Sequence, residues 1–394
     1  MSRRRVHDVA VVGAGMVGAA TALLLAREGF DVVVVEPRVP RPWSASEETG
    51  LRVVALAPSS ADLLRRAGLW GTIRDSRSCA YRHMRVWDAL APGELKFDAA
   101  DCDEAALGWI VENGLVQQAL WTALQQCANV AVHCPAQVIA SDAETDARRL
   151  VLDDATQLRA RLVVAADGAD STLRDMAGIP TRERSYAQRA IVANVSTERP
   201  HEHTAWQRFV CAGTVAFLPL SDGRSSIVWS VPDAQADRLL GLDDAAFRGE
   251  LGAAFDFRLG RVIATTPRAS FPLRMRSARR YLAPRLALIG DAAHVVHPLA
   301  GQGVNLGFRD ADELLSVVAA ARDAKRDFAA HSNLRRYERR RRSDNTLSAG
   351  AFDLIQRVFG NDAMPVAALR GAALVAVEHC SPLKRLFAAH AAGH

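Results

Sequence analysis

The stretch VAVVGAGMVGAATALLLAREGFDVVVVE, residues 9–36, decides the fold. Val9–Val12 is a short apolar run and reads as a buried strand. Gly13, Gly15 and Gly18 follow at GxGxxG spacing and open a helical pattern, Met16–Arg27, that ends at Gly29. A second apolar strand, Asp31–Val35, finishes on Glu36. In such a strand–turn–helix–strand unit the first glycine permits the tight turn. The second lets backbone approach a pyrophosphate, and the third lets helix and strand pack closely. The pyrophosphate rests on the helix N-terminus, where free N–H groups and the helix dipole favour an anion. Glu36 puts a carboxylate where both ribose hydroxyls can reach it and repels a 2′-phosphate, which favours NAD or FAD over NADP.

The same stretch admits one other reading. Arg3–Arg5 ahead of an apolar run resembles a signal peptide or a membrane anchor. Asp8 at the junction and the three spaced glycines weigh against it.

Outward from this unit, 394 residues give room for two or three domains, and 49% hydrophobic with 24% charged residues is an ordinary globular composition. The net charge is +5, but Leu334–Arg342 (LRRYERRRR) alone holds six Arg and one Glu. The rest of the chain is therefore neutral, which argues against a nucleic-acid binder. On a helix, Arg335, Arg339 and Arg342 share a face that Arg336 and Arg340 adjoin. Leu334, Tyr337 and Arg341 turn the other way, and Arg341 is expected to reach inward to an acid. A docking face for anionic lipid or a partner is the alternative role of this patch. The six cysteines form no CxxC pair, so a zinc ribbon is excluded, no metal is expected, and a reduced, cytoplasmic chain is the simplest reading.

Leu51–Leu64 reads as a strand edge entering a helix capped by Ser59–Ser60, and Val111–Cys127 as a helix. Ala190–Thr197, Trp206–Cys211, Thr214–Leu218 and Ser225–Val231 alternate as strands of an antiparallel sheet, with Asp222–Gly223 as a turn. After Gly303 the pattern is helical, with a break near Gly360–Pro365.

Two more glycine–aspartate sites follow strands. Leu162–Ala166 feeds Asp167–Gly168 in RLVVAADGADSTLR, and Leu286–Ile289 delivers Gly290–Asp291. Either alone is ordinary turn chemistry. The run after Asp291, GDAAHVVHPLAGQGVNLGFRDADEL, is less ordinary. Pro298 fixes the entry, Gly301 and Gly303 bare their N–H groups, and a helix begins near Val304. This makes a second helix N-terminus aimed at a ligand. A flavin needs one, because the reduced ring carries negative charge that N–H donors stabilise. Asp291 is placed to bind ribitol hydroxyls.

GAGMVG, DGADSTLR and GDAAHVVHPLAGQGVNLG together resemble the three FAD motifs of the class A flavin monooxygenases. Within that group the chain is similar to the ubiquinone-biosynthesis hydroxylases, whose signature matches His297–Leu306 continued into Arg309–Asp310. Further matches are Arg52 in LRVVALAPSS, VENGLVQQALW at 111–121, FLPLSDGRSSIVWS at 217–230 and YERRRRSDN at 337–345. The resemblance implies an α/β fold in which a Rossmann-like FAD-binding domain with a parallel sheet spans 1–72, 105–180 and 273–330. An inserted antiparallel substrate domain would span 73–104 and 181–272, and a helical C-terminal region 331–394.

It also implies that Gly13, Gly15, Met16, Gly18 and Glu36 hold the AMP half of FAD, with Arg52 and Gln117 beside pyrophosphate and flavin. Asp167 and Gly168 would belong to the motif linked to FAD and to access of a nicotinamide donor. Gly290 and Asp291 would serve the ribitol, while Pro298, Gly301, Gln302, Gly303, Val304 and Asn305 would bracket the isoalloxazine. Phe217, Leu218 and Pro219 would approach the ring from the substrate sheet. The implied reaction is hydroxylation of a prenylated phenol: NAD(P)H reduces FAD, O2 adds at C4a, and the hydroperoxide delivers one oxygen. No side-chain acid or base is compelled. His297 is the one catalytic candidate, and it and His294 equally suit a role in the turn.

A hydroxylase of a soluble or polyketide-like aromatic, and a flavin-binding protein without turnover, are the alternative readings. Pro365–Val377 (PVAALRGAALVAV) is apolar enough to pack on the FAD domain, with peripheral contact to the inner membrane or a biosynthetic complex as its alternative.

Overall fold

The computed structural model describes residues 5–91, 93–102, 104–211, 213–295 and 303–359. Its helices are α1 (Met16–Arg27), α2 (Pro58–Arg66), α3 (Trp70–Asp75), α4 (Asn113–Gln126), α5 (Thr172–Met176), α6 (Asp233–Leu240), α7 (Asp244–Ala254), α8 (Gly303–Asp323) and α9 (His331–Phe359).

The decisive stretch folds as its pattern predicts. His7–Val12 forms the middle strand of a parallel sheet, with Val32–Val35 on one side and Gln157–Ala165 on the other. Val130–His133 extends the first side and Leu286–Leu288 the second, both parallel. Val9–Val11 and Val32–Val35 are fully buried, as apolar strands covered on both faces must be. α1, α4 and α8 supply that cover and share its core. All three glycine–aspartate or glycine-rich turns leave the ends of strands in this one sheet, so the topology gathers them along one edge.

The second sheet runs His294–Val295, Ala269–Ala278, Thr181–Thr197, Ser225–Pro232, Gly213–Pro219, Thr204–Val210, His83–Asp88, Glu94–Asp98. It is antiparallel except where His83–Asp88 lies parallel to Thr204–Val210. α6 and α7 pack on its back, Phe247 of α7 joining Trp87, Phe217 and Trp229 of the sheet in one core. A small third sheet of Val53–Leu56, Gly108–Glu112 and Ser78–Tyr81 joins the two halves, and Ala55 and Ile110 meet Ala205, Leu218 and Leu220 across the junction.

Several local expectations need correction. α2 starts at Pro58 with Ala57 as its N-cap, so Ser59 and Ser60 lie inside the first turn instead of capping it. Proline at the first helical position needs no N–H there, which lets the helix start earlier than the serines suggested. Val111 and Glu112 end a strand, and α4 begins only at Asn113. The division expected at 272/273 falls inside the Ala269–Ala278 strand, which belongs with His294–Val295 to the second sheet. Ser78–Tyr81 pairs within the small sheet instead of the substrate sheet. The break near Gly360–Pro365 and the Pro365–Val377 segment lie outside the described residues.

Candidate functional site

Gly13 takes φ +96°, and a Cβ there would lie 2.3 Å from the Ala166 carbonyl oxygen. A Cβ on Gly18 would lie 2.0 Å from the Gly13 carbonyl oxygen. These two glycines are demanded by the protein's own packing. Gly15 is different: it is exposed, and a Cβ there would meet nothing within 4 Å. It is also the N-cap of α1, and no side chain caps that helix. The first-turn N–H groups of α1 are therefore left without a side-chain cap beside an uncrowded Gly15, which suits a pyrophosphate.

Glu36 reaches back from the end of its strand over this turn. Its Oε2 accepts the Ala14 N–H at 2.6 Å and its Oε1 the Arg38 N–H at 3.1 Å. Each oxygen keeps a lone pair for a ribose hydroxyl. Gln117, on α4, donates through Nε2 to the Ala14 carbonyl and so braces the same loop. Arg52 is exposed, its carbonyl accepts the Asn113 N–H at 3.0 Å, and its guanidinium forms no ion pair among the described residues.

Asp167 is occupied with its own turn. It accepts from Ser171 Oγ at 2.5 Å, Thr172 Oγ1 at 3.2 Å and the Leu173 N–H at 3.1 Å, while Gly168 takes φ +86°. This anchors α5 and leaves the backbone of Gly168 as the open part of the motif, since a Cβ there would meet nothing within 4 Å.

Asp291 follows Gly290 at the end of Leu286–Leu288. Asp291 is solvent-accessible, with protein crowded around its carboxyl. Burial pushes its carboxyl above the ordinary carboxylate range, with Asp310 adding to the push and His294 opposing it. A polar ligand that donates hydroxyl hydrogen bonds relieves that penalty. Gly303 and Val304 open α8, and the close packing of Val17 against Gly290 and Gly307 sets α8 beside the start of α1. His297, Pro298, Gly301 and Gln302 lie outside the described residues.

Asn305 spends its side chain on the scaffold. Its Oδ1 accepts the Ala57 N–H at 3.0 Å and Ser60 Oγ at 2.7 Å, and its Nδ2 donates to the Ala55 carbonyl at 2.8 Å. Only its backbone remains to face a ligand. Phe217 does not approach the site. It is fully buried on the back of the substrate sheet and stacks on Phe255 with ring centroids 3.8 Å apart. Strand alternation explains the reversal: Phe217 points to α6 and α7, and Leu218 to the junction with the small sheet. Pro219 is buried at the strand end opposite Ser225. Phe217→Leu is accordingly expected to lower unfolding stability by about 1–2 kcal/mol with unchanged KM. Denaturant melts and steady-state kinetics check this, and a raised KM at full stability would contradict it.

Asp310 closes the signature run, but its role was not assigned from the motif. It is fully buried in α8. Its Oδ2 accepts the Gly290 N–H at 2.9 Å and bonds His294 Nε2 at 2.5 Å. Its Oδ1 accepts Arg341 Nε at 2.8 Å and Asn345 Nδ2 at 3.3 Å. One carboxylate thus fixes the turn before Asp291, the strand carrying His294, and α9. His294 is thereby a structural partner of the turn, and Arg341 does reach inward to an acid. The available signal was an acid at position 310 on the apolar Leu306–Ala311–Leu314 face of an amphipathic helix. Arg174 likewise ties the Asp167 turn to the Asp291 turn, donating to the Ala169 carbonyl at 2.9 Å and the Ala292 carbonyl at 3.3 Å.

A family model described as FAD binding domain matches residues 6–346. The 3-demethoxyubiquinol 3-hydroxylase of Escherichia coli K12 is 39% identical over 388 residues, which covers 98% of each chain. The ubiquinone hydroxylase UbiL of Rhodospirillum rubrum is 40% identical over 392 residues, 100% of this chain and 91% of its own. Among solved structures, the p-nitrophenol 4-monooxygenase PnpA of Pseudomonas putida superposes with a TM-score of 0.76 at 21% identity over 98% of each chain, a likeness of fold. With the α1 turn, Glu36 and the Asp291 turn in place, the chain belongs to the FAD-binding class A flavin monooxygenases, and within them to the ubiquinone-biosynthesis hydroxylase family.

Proposed function

We propose that this monooxygenase hydroxylates the aromatic ring of a polyprenylated phenol in ubiquinone biosynthesis, using O2 and NAD(P)H. The observation that carries the reading is identity of 39–40% along essentially the whole chain to two ubiquinone hydroxylases. The site fits FAD on its own terms: the space at Gly15, the uncapped α1, and an accessible but hemmed-in acid at Asp291.

Bound FAD supplies the redox chemistry, taking two electrons from the donor and activating O2 so that one oxygen enters the ring and the other leaves as water. The chain's own residues supply position and electrostatics. The α1 N–H groups and helix dipole hold the pyrophosphate, and Glu36 holds the ribose. Asp291 takes the ribitol hydroxyls. The first-turn N–H groups and positive dipole end of α8, which begins at Gly303, would favour negative charge accumulating beside them. Asp310 keeps these pieces in register. The substrate sheet and the small sheet close over the junction with apolar side chains, which excludes water from it.

Asp291→Ala is expected to weaken FAD retention by about 1.5–3 kcal/mol, roughly ten- to a hundredfold. Flavin absorbance after dialysis reads this, and full retention would count against Asp291. The reading itself is tested by deleting the gene in its host, in a strain without a second such hydroxylase, and identifying the prenylated phenol that accumulates. A normal quinone profile would overturn it. Among the described residues no helix is long and apolar enough to cross a membrane.

A further inference from the structure

Two of the six arginines in the α9 run are absorbed by the fold. Arg341 is buried on Asp310, and Arg340 pairs with Glu313 of α8 at 2.8 Å. At 100° per residue, Arg335, Arg339 and Arg342 fall on the opposite flank, beside Glu338. Glu338 turns inward to accept the Tyr281 N–H at 2.7 Å, which sets the Arg279–Arg280 loop against that same flank. Arg279, Arg280, Arg335, Arg339 and Arg342 are all exposed. None of the five guanidinium groups makes an ion pair among the described residues, whereas Arg189, Arg238, Arg261 and Arg276 pair with Asp237, Glu250, Glu198 and Asp170. Glu338, the acid within the face, is engaged by backbone, and Asp344 lies on the α8 side, paired with Arg341. Five like charges held unpaired on one rigid surface repel one another and gain only when they meet an extended anion.

We propose that this face, formed by the Arg279–Arg280 loop and the Arg335–Arg339–Arg342 flank of α9, docks the enzyme on an anionic phospholipid surface. The choice of a bilayer over other anions rests on the proposed function, because a polyprenylated phenol dissolves in a membrane. An enzyme without a spanning helix among its described residues needs another means of meeting that substrate. The face is also close to the site. The Ala278 N–H, one residue before Arg279, donates to the Ala293 carbonyl at 2.8 Å, next to His294.

The test uses the FAD-loaded enzyme and two sets of vesicles, phosphatidylcholine alone and phosphatidylcholine with about one-third phosphatidylglycerol. Wild type is expected to co-sediment with the anionic vesicles only, and to be released as salt shortens the Debye length. The triple variant Arg335→Glu, Arg339→Glu, Arg342→Glu is expected to lose at least about tenfold in partitioning. Arg279→Glu with Arg280→Glu should act in the same direction. None of these residues touches the candidate flavin site, so FAD content and turnover of a short-chain, water-soluble phenol should stay at the wild-type level and certify that each variant folds. Equal binding to neutral vesicles, or unchanged sedimentation of the folded triple variant, would overturn the proposal. The two readings fail separately. Arginine-dependent vesicle binding without turnover of any phenol would sink the hydroxylase reading alone, and turnover without vesicle binding would sink the docking face alone.

Discussion

Replacing Asp310 with alanine is expected to destabilise the protein by about 3–5 kcal/mol and to release its FAD. The cost comes from what remains behind. Arg341 has a side chain only 5% exposed, and without Asp310 its one remaining acid partner is Asp344, whose side chain is 56% exposed. The Gly290 N–H and His294 Nε2 lose their acceptor at the same time. Asp310→Asn keeps the shape and two acceptor lone pairs but removes the charge, so it should fall between wild type and alanine. Denaturant unfolding with flavin fluorescence separates the two effects. A variant that unfolds like wild type would show that the carboxylate is not what joins the turn, the strand and α9.

The pH dependence has a definite sign. Burial alone would raise the Asp310 carboxyl; His294 and Arg341 outweigh it and hold it below the ordinary carboxylate range. A group depressed in the folded state contributes its stability above its unfolded pKa, about 3.9 for an aspartate. That contribution is lost as pH falls through the lower folded value. The stability gap between wild type and Asp310→Ala should therefore be full at neutral pH, begin to shrink near the unfolded value of about 3.9, and be lost as pH falls through the lower folded value. A gap that closes near neutrality would implicate another group.

The difference between Asp310 and the glycines shows what was legible in the sequence. The nucleotide-binding unit could be read because its information is local: strand, turn, helix and terminal acid lie within residues 9–36 and follow simple periods. The second sheet was legible as alternating strands, but a strand alternates whichever face meets the cofactor. Phe217 was therefore assigned to the wrong side, and only the packing of α6 and α7 decides that. The Asp310 network joins residues 290, 294, 310, 341 and 345, contributed by a turn, a short strand and two helices. No periodicity links those positions, although each end left a trace: an acid on an apolar face, and one arginine turned against its neighbours.

Gly15→Ala should lose flavin alone and Gly18→Ala flavin and stability together, and this contrast tests the site map most sharply. Gly18→Ala places a Cβ 2.0 Å from the Gly13 carbonyl oxygen and 2.9 Å from Ala166 Cβ. Alanine gains about 1 kcal/mol over glycine within a helix. The carbonyl is backbone and the Ala166 Cβ is fixed to backbone, so neither can rotate away as a side-chain tip could, and overpacking wins, at about 3 kcal/mol or more. Gly18→Ala should lose stability and flavin together. Gly15→Ala meets nothing in the protein, and its φ of −61° and ψ of 175° suit any residue. Its stability should move by less than about 1 kcal/mol, the scale of an N-cap change. The methyl group does, however, enter the space through which a pyrophosphate reaches the α1 N–H groups. FAD retention should therefore fall at least tenfold, about 1.4 kcal/mol, in a protein that unfolds almost as wild type does. Thermal unfolding of the apoproteins and flavin titration read the two quantities separately. Full flavin affinity in Gly15→Ala would place the pyrophosphate elsewhere, whatever the glycine spacing says.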